Sequence, residues 1–421
     1  MRRRTSVLPM IIIGILFFIF GFVTWLNGSL IPFLKVICNL TEFQALFVTF
    51  AFYISYTVMA LPMATVLEST GYKKGMAIGL GVMVIGSLLF IPAALSANFI
   101  VFLLALFALG TGLTILQTAS NPYVVLIGPI ESAAMRISIM GLINKGAGVL
   151  VPLLFTALIL SDIGSISGDL SNEDIEELAS RLIMPYIVMA VVLTGLIALV
   201  LFSSLPELEF EKEDMYDKGS ILQFPRVILG AVALFFYVGI EVIAGDTIGL
   251  YAQGLEVANA TALTSYTMVF MVLGYLVGVF GIPKYLSQEK ALISSALVGI
   301  LFLLGVAFSS STSHGISEAL WGWSGVATLP DTVTFVALLG FANALVWPTI
   351  WPLALEGLGK YTAKGSALLI MAIAGGAILP LVFGKVAQET GDMQLSYLIG
   401  IICYFFIFMY AIKWHKMSSW K

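Results

Sequence analysis

Charge is scarce in this 421-residue chain: a tenth of its residues are Asp, Glu, Lys or Arg, against roughly a quarter in ordinary soluble domains. Histidine and cysteine are scarcer, at two apiece. His314 and His415 fall near the ends of apolar runs, and Cys38 and Cys403 stand far apart. That excludes a cysteine–histidine metal cluster, and both thiols are expected to be free. No segment alternates as a strand does, and no phosphate-binding or dinucleotide-binding glycine loop follows one. Neither an enzyme, a resident cofactor nor a nucleic-acid partner is expected.

What is present is apolar length. Sixty per cent of the residues are hydrophobic, gathered into runs that reach the ~18 residues a spanning helix needs. Twelve spans are expected, over residues 8–34, 44–68, 74–95, 99–127, 133–161, 183–205, 227–253, 259–286, 290–309, 332–356, 361–387 and 393–414. The second six echo the first six. Phe17-Phe18-Ile19-Phe20-Gly21, followed by Asn27-Gly28-Ser29, returns 218 positions later as Phe235-Phe236-Tyr237-Val238-Gly239, followed by Gly245-Asp246-Thr247. Gly148-Val149-Leu150-Val151-Pro152-Leu153 returns 228 positions later as Gly376-Ala377-Ile378-Leu379-Pro380-Leu381. The expected fold class is therefore an all-α membrane protein of two six-helix halves, 1–205 and 227–421, joined by a polar linker at 206–226. Two parallel halves related by an axis along the membrane normal are the plan of an alternating-access solute carrier, with its site between them.

Lysine and arginine set the orientation. With the N-terminus inside, sixteen of them fall at inner loops and ends, Arg2, Arg3, Arg4, Lys73, Lys74, Arg136, Arg226 and Lys416 among them. Lys35, Arg181 and Lys385 fall outside. This asymmetry places both termini in the cytoplasm. The outer loop 162–182 is acidic, and acids weigh little in that rule.

Two loops carry a motif. Ala64-Thr65-Val66-Leu67-Glu68-Ser69-Thr70-Gly71-Tyr72-Lys73-Lys74 resembles the Gly-xxx-Asp-xx-Gly-x-[Arg/Lys]-[Arg/Lys] signature of the major facilitator superfamily, with alanine and glutamate in the first two fixed places. Glu131 and Arg136 match the Glu-x4-Arg element of its sugar carriers. Acids and bases at helix ends act as a latch, paired while the cavity faces outward and parted when it opens inward; capping alone is the blander role. Glu68, Lys73, Lys74, Glu131 and Arg136 are expected gate residues. Glu356, beside Lys360 and Lys364, is expected to form a gate salt bridge.

Inside the spans, Leu26-Asn27-Gly28-Ser29-Leu30-Ile31-Pro32, Gln117-Thr118-Ala119-Ser120-Asn121-Pro122-Tyr123, Tyr237-Val238-Gly239-Ile240-Glu241 and Pro348-Thr349-Ile350-Trp351 resemble the fucose and glucose/galactose symporter family of that superfamily. The resemblance runs over nearly the whole chain and implies sugar uptake across a bacterial inner membrane. One departure stands out. The proton-coupled fucose carriers keep an aspartate at the place of Gly28 and a glutamate at the place of Gln117.

The charges deep in the spans are Lys145 in the first half, with Glu241 and Asp246 in the second. A charge at a helix centre costs at least ~2.5–3.5 kcal/mol on insertion scales, which makes each a functional candidate. Glu241 and Asp246 are five positions apart, about 140° around the helix, so they cannot both face one small ion unless the helix unwinds. Lys145, Glu241 and Asp246 are expected to couple ion and solute, with either acid open as the partner of Lys145. A sugar also needs hydroxyl partners and an apolar face. Asn27, Gln117, Asn121, Asn144, Glu241, Asn343, Trp347 and Trp351 are the expected substrate-binding residues, though membrane amides often serve only as glue between helices.

The expected function is import of a neutral hexose of the glucose/galactose type by cation symport. Na+ is favoured over H+ because the fucose-type acids are missing. N-acetylhexosamine or fucose as substrate, and uniport as mechanism, are the alternatives. The expected partners are the monosaccharide, the coupling Na+ or H+ and membrane lipid, around a monomer.

Overall fold

The computed structural model describes residues 7–126, 133–159, 172–203, 205, 220–282, 285–358 and 361–420. Among these there is no strand. Twelve helices are long and apolar enough to cross a membrane: Leu8–Ile37, Glu42–Met63, Tyr72–Ser96, Phe99–Asn121, Arg136–Ile159, Glu173–Phe202, Pro225–Asp246, Ala260–Gly281, Gln288–Phe308, Asp331–Leu355, Lys364–Thr390 and Met393–Lys416. These are called the first to twelfth spans below. Their apolar residues lie all round each helix, and one side faces lipid; Leu61, Val191 and Phe202 are exposed where a soluble protein would bury them.

Local chemistry sets the ends. Thr41 accepts from the Gln44 amide while the Gln44 side chain accepts from the Thr41 amide, a capping box that starts the helical turn before the second span. Ser287 caps the ninth span through the Lys290 amide. Two segments expected as loop are partly helical. Asn172–Ser180 forms a short helix in the outer acidic segment, where Glu173 and Asp174 sit at the end that favours anions. The seventh span begins at Pro225, inside the expected linker, because proline suits the first helical position. The linker residues 206–219 lie outside the described ones.

Each half packs on itself in the same way. Gly21 of the first span lies so close to the Asn144 carbonyl of the fifth that a methyl group there would collide with it. In the second half Gly375 of the eleventh span meets the Phe235 carbonyl of the seventh in the same fashion. The two halves then meet at the end away from the termini. Ser29 Oγ donates to the Thr261 carbonyl (2.6 Å), and Thr156 Oγ1 bonds Thr261 Oγ1 (2.8 Å). Phe43 and Leu46 close over Gly384. Further toward the termini-bearing end the halves also touch, where Thr57 Oγ1 donates to the Met371 carbonyl (3.2 Å). The central cavity is thus closed over at the end away from the termini.

Candidate functional site

Below that seal, at mid-depth between the halves, lies a cavity of about 750 Å³, counting its solvent-filled mouth. The first half contributes Phe17, Phe20, Thr24 and Trp25, then Tyr53 and Tyr56, then Gln117, Asn121, Asn144 and Lys145. The second half contributes Tyr237 and Glu241 with Tyr275, Trp347 and Ile373.

The open choice of partner for Lys145 is resolved. Its Nζ donates to Glu241 Oε1 at 2.7 Å, across the two halves, with both side chains buried. The same ammonium sits 4.3 Å from the centre of the Trp25 ring, a second favourable contact for a desolvated cation. Trp25 Nε1 donates to Asn144 Oδ1 at 3.4 Å, and Asn144 Nδ2 donates to the Phe17 carbonyl at 3.4 Å. Gln117 Nε2 donates to Tyr56 Oη at 2.9 Å. Trp347 stacks on Trp351 with ring centres 5.2 Å apart and lies 6.4 Å from Tyr237. The wall therefore alternates flat apolar rings with amide, hydroxyl and carboxylate groups. That mixture suits a solute with C–H faces and hydroxyl edges.

Of the residues expected at the substrate, Gln117, Asn121, Asn144, Glu241 and Trp347 are on this wall. Trp351 backs it through Trp347. Asn343 is buried within the second half, where its Oδ1 accepts from Tyr404 Oη at 2.8 Å. Asn27 lies above the cavity in the sealed layer, 1 % exposed, and Asp246 is fully buried on the seventh span. Gly28 is held by close packing: a Cβ there would meet Thr264 Oγ1 and come within 3.1 Å of the Gly245 carbonyl.

Three of the expected gate residues have a bond inside their own half. Lys73 Nζ donates to the Ser203 carbonyl (2.7 Å), and Arg136 Nε donates to the Val124 carbonyl (2.8 Å). Glu356 pairs with Arg226 at 2.9 Å; of the two lysines to which the sequence pointed, Lys360 lies outside the described residues. Arg226 opens the seventh span, so the fold brings it to the end of the tenth. Lys74 is exposed. Glu131 and the side chain of Glu68 lie outside the described residues. Sequence reasoning passed over Tyr53, Tyr56 and Tyr275. Tyrosine belongs mostly to membrane interfaces, so tyrosines at mid-span were the available signal.

A pair of six-helix bundles around a half-closed polar cavity defines a membrane carrier. The pattern of the Major Facilitator Superfamily matches residues 13–380. The chain is 34% identical over 405 residues to a glucose/galactose transporter of Brucella abortus biovar 1 (strain 9-941), covering 94% of this chain and 92% of that one. It is 27% identical over 429 residues to the L-fucose-proton symporter of Escherichia coli (strain K12), covering 97% and 94%. Among solved structures it is similar to the transporter FucP in the outward conformation, with a TM-score of 0.74, 25% identity and coverage of 99% and 100%. The chain belongs to the major facilitator superfamily and, within it, to the fucose/glucose–galactose symporter family.

Proposed function

We propose that this protein imports a neutral hexose of the glucose/galactose type by cation symport, through alternating access, across a bacterial inner membrane with both termini in the cytoplasm. The observation that carries the proposal is the cavity wall, where Gln117, Asn144 and Glu241 stand among Trp25, Tyr56, Tyr237 and Trp347 at the junction of the halves. The relatives' names support the substrate class. On the orientation set by lysine and arginine, the end closed by Ser29, Thr156 and Thr261 faces outside, which suits an inward-facing state.

The Lys145–Glu241 pair supplies the working part. A buried ion pair contributes little net stability, whereas removing one partner leaves an uncompensated charge at a cost of about 3–5 kcal/mol. A pair that bridges the halves therefore favours one arrangement of them, and a sugar hydroxyl or a cation near Glu241 shifts that balance. Fucose or an N-acetylhexosamine as substrate, and uniport with a permanent Lys145–Glu241 bridge, are the rival readings. Uptake of a panel of labelled sugars into proteoliposomes, with Na+ and H+ gradients imposed separately, tests the proposal. Hexose accumulation that follows a cation gradient is expected; equilibration with no accumulation under either gradient would establish uniport.

A further inference from the structure

One deep acid is left without a counterpart. Lys145 is bonded to Glu241, and Asp246, within electrostatic reach of both, has no ammonium of its own. Its carboxylate is wholly buried and neither oxygen has a hydrogen-bond partner. Two more side chains share that condition nearby. Both amide atoms of Asn27 are unpartnered at 1 % exposure, and so is the Tyr53 hydroxyl at 3 %. The Tyr53 hydroxyl faces the Asp246 carboxylate, near enough for a weak side-chain hydrogen bond that falls short of full geometry, and its side chain also lines the sugar cavity.

The surrounding polar groups are satisfied. Thr247 Oγ1 donates to the Ile243 carbonyl, Thr267 Oγ1 to the Ala244 carbonyl and Thr264 Oγ1 to the Gly245 carbonyl. Other unpartnered buried groups, such as Ser120 Oγ and Asn343 Nδ2, lie elsewhere, but Asn27 and Asp246 are neighbours of Gly28 and Gly245, where the first and seventh spans touch. Both spans are interrupted there, at Leu26 and at Thr247. The seventh span's first helix ends at Asp246, and a helix C-terminus carries partial negative charge.

We infer that Asp246, Asn27 and the Tyr53 hydroxyl form the coupling-cation site, and that its occupant is a dehydrated Na+ ion. One positive charge balances the three deep charges, which points to a monovalent cation. A proton on Asp246 would supply that charge and still leave the Asn27 amide oxygen unmatched. A hard cation accepts several oxygen ligands at once. Tyr53, which lines the sugar cavity and adjoins Asp246, is the residue through which sugar and cation sense each other. The inference rests on the transport reading above and adds the identity and seat of its driving ion.

The test separates the two. The purified protein is titrated with NaCl at fixed pH and ionic strength, with choline as the balancing ion and no sugar present, and its Tm is read. Na+ raises Tm in the wild type and leaves Asp246→Asn unmoved. Asn27→Ala raises the half-saturating Na+ concentration about tenfold, the loss of one buried polar partner, and keeps the argument testable should Asp246→Asn fold poorly. In proteoliposomes, sugar counterflow by the wild type responds to Na+, and that response is lost in Asp246→Asn. A wild-type Tm indifferent to Na+ overturns the site, as does Na+-gradient-driven accumulation by Asp246→Asn. Accumulation that follows an H+ gradient alone overturns sodium as the occupant. No counterflow with any sugar, alongside an intact Na+ effect on Tm, would sink the transport reading and leave the cation site standing.

Discussion

The two halves share a plan and differ in stiffness. In the first half the fourth and fifth spans are unbroken helices, Phe99–Leu126 and Ala133–Ile159. Their counterparts in the second half are interrupted. The tenth span is Asp331–Asn343 and Val346–Leu355, and the eleventh passes through a 3-10 turn at Ala372–Ala374. The charges divide along the same line, with the base Lys145 on a straight helix and the acids Glu241 and Asp246 on the seventh span, which breaks at Thr247. The first half holds its ammonium and its Gln117 and Asn144 amides on unbroken helices; the second carries its acids just ahead of a break. The difference teaches where each half has backbone free to rearrange around its ligands.

The sharpest way to break this comparison is to remove its fixed charge. Lys145→Ala should abolish concentrative uptake and leave sugar exchange measurable, since exchange needs no net cation movement. It should also destabilise the protein by about 3–5 kcal/mol, the cost of a stranded buried acid, and Lys145→Met with Glu241→Gln should recover most of that loss. Gradient-driven uptake beside counterflow, with thermal unfolding of the same preparations, reads all three. Wild-type accumulation by Lys145→Ala would make the residue structural.

A smaller effect is expected on binding. Gln117→Ala and Glu241→Ala should each weaken sugar affinity by about 1–3 kcal/mol by leaving buried hydroxyl partners unpaired. Calorimetric titration checks it, and equal affinity for Gln117→Ala would remove the fourth span from the site. Stiffness itself is read by hydrogen exchange. Amides around Ala344–Leu345 and Ala372–Ala374 should exchange faster than those at mid-span in the fourth and fifth helices; uniform protection across both halves would cancel the distinction. Smallest is a chemical effect at the rim. Burial pushes the Cys38 thiol up to about 11, so its thiolate fraction is very small at neutral pH and maleimide labelling of the native protein should be slow, rising steeply as pH is raised toward that value.

Much of this architecture was legible in the chain. Apolar length located the twelve spans, and the repeat of Phe17–Gly21 at Phe235–Gly239 paired the halves. Gln117, Asn144 and Glu241 stood out because amides and acids are costly in a membrane. Depth was harder to read than face. Asn27 is only one turn beyond Thr24, yet Thr24 lines the cavity and Asn27 is in the layer above it, a step that periodicity does not register. The partner of Lys145 lies 96 positions away, and only the docking of the halves selects Glu241 over Asp246. The tyrosines were missed because an aromatic ring in a span reads first as packing.

One base facing two acids also has an electrical meaning. With Asp246 ionised and no cation bound, the core of the carrier holds a net charge of about minus one, and with a monovalent cation it is neutral. A voltage then acts on the empty protein and not on the loaded one. A potential negative on the inside pushes the empty core toward its outward-facing form by up to about 2.3 kcal/mol per 100 mV for a charge that crosses the whole field. The membrane voltage would thus be felt on the return stroke, resetting the carrier after the solute has already left.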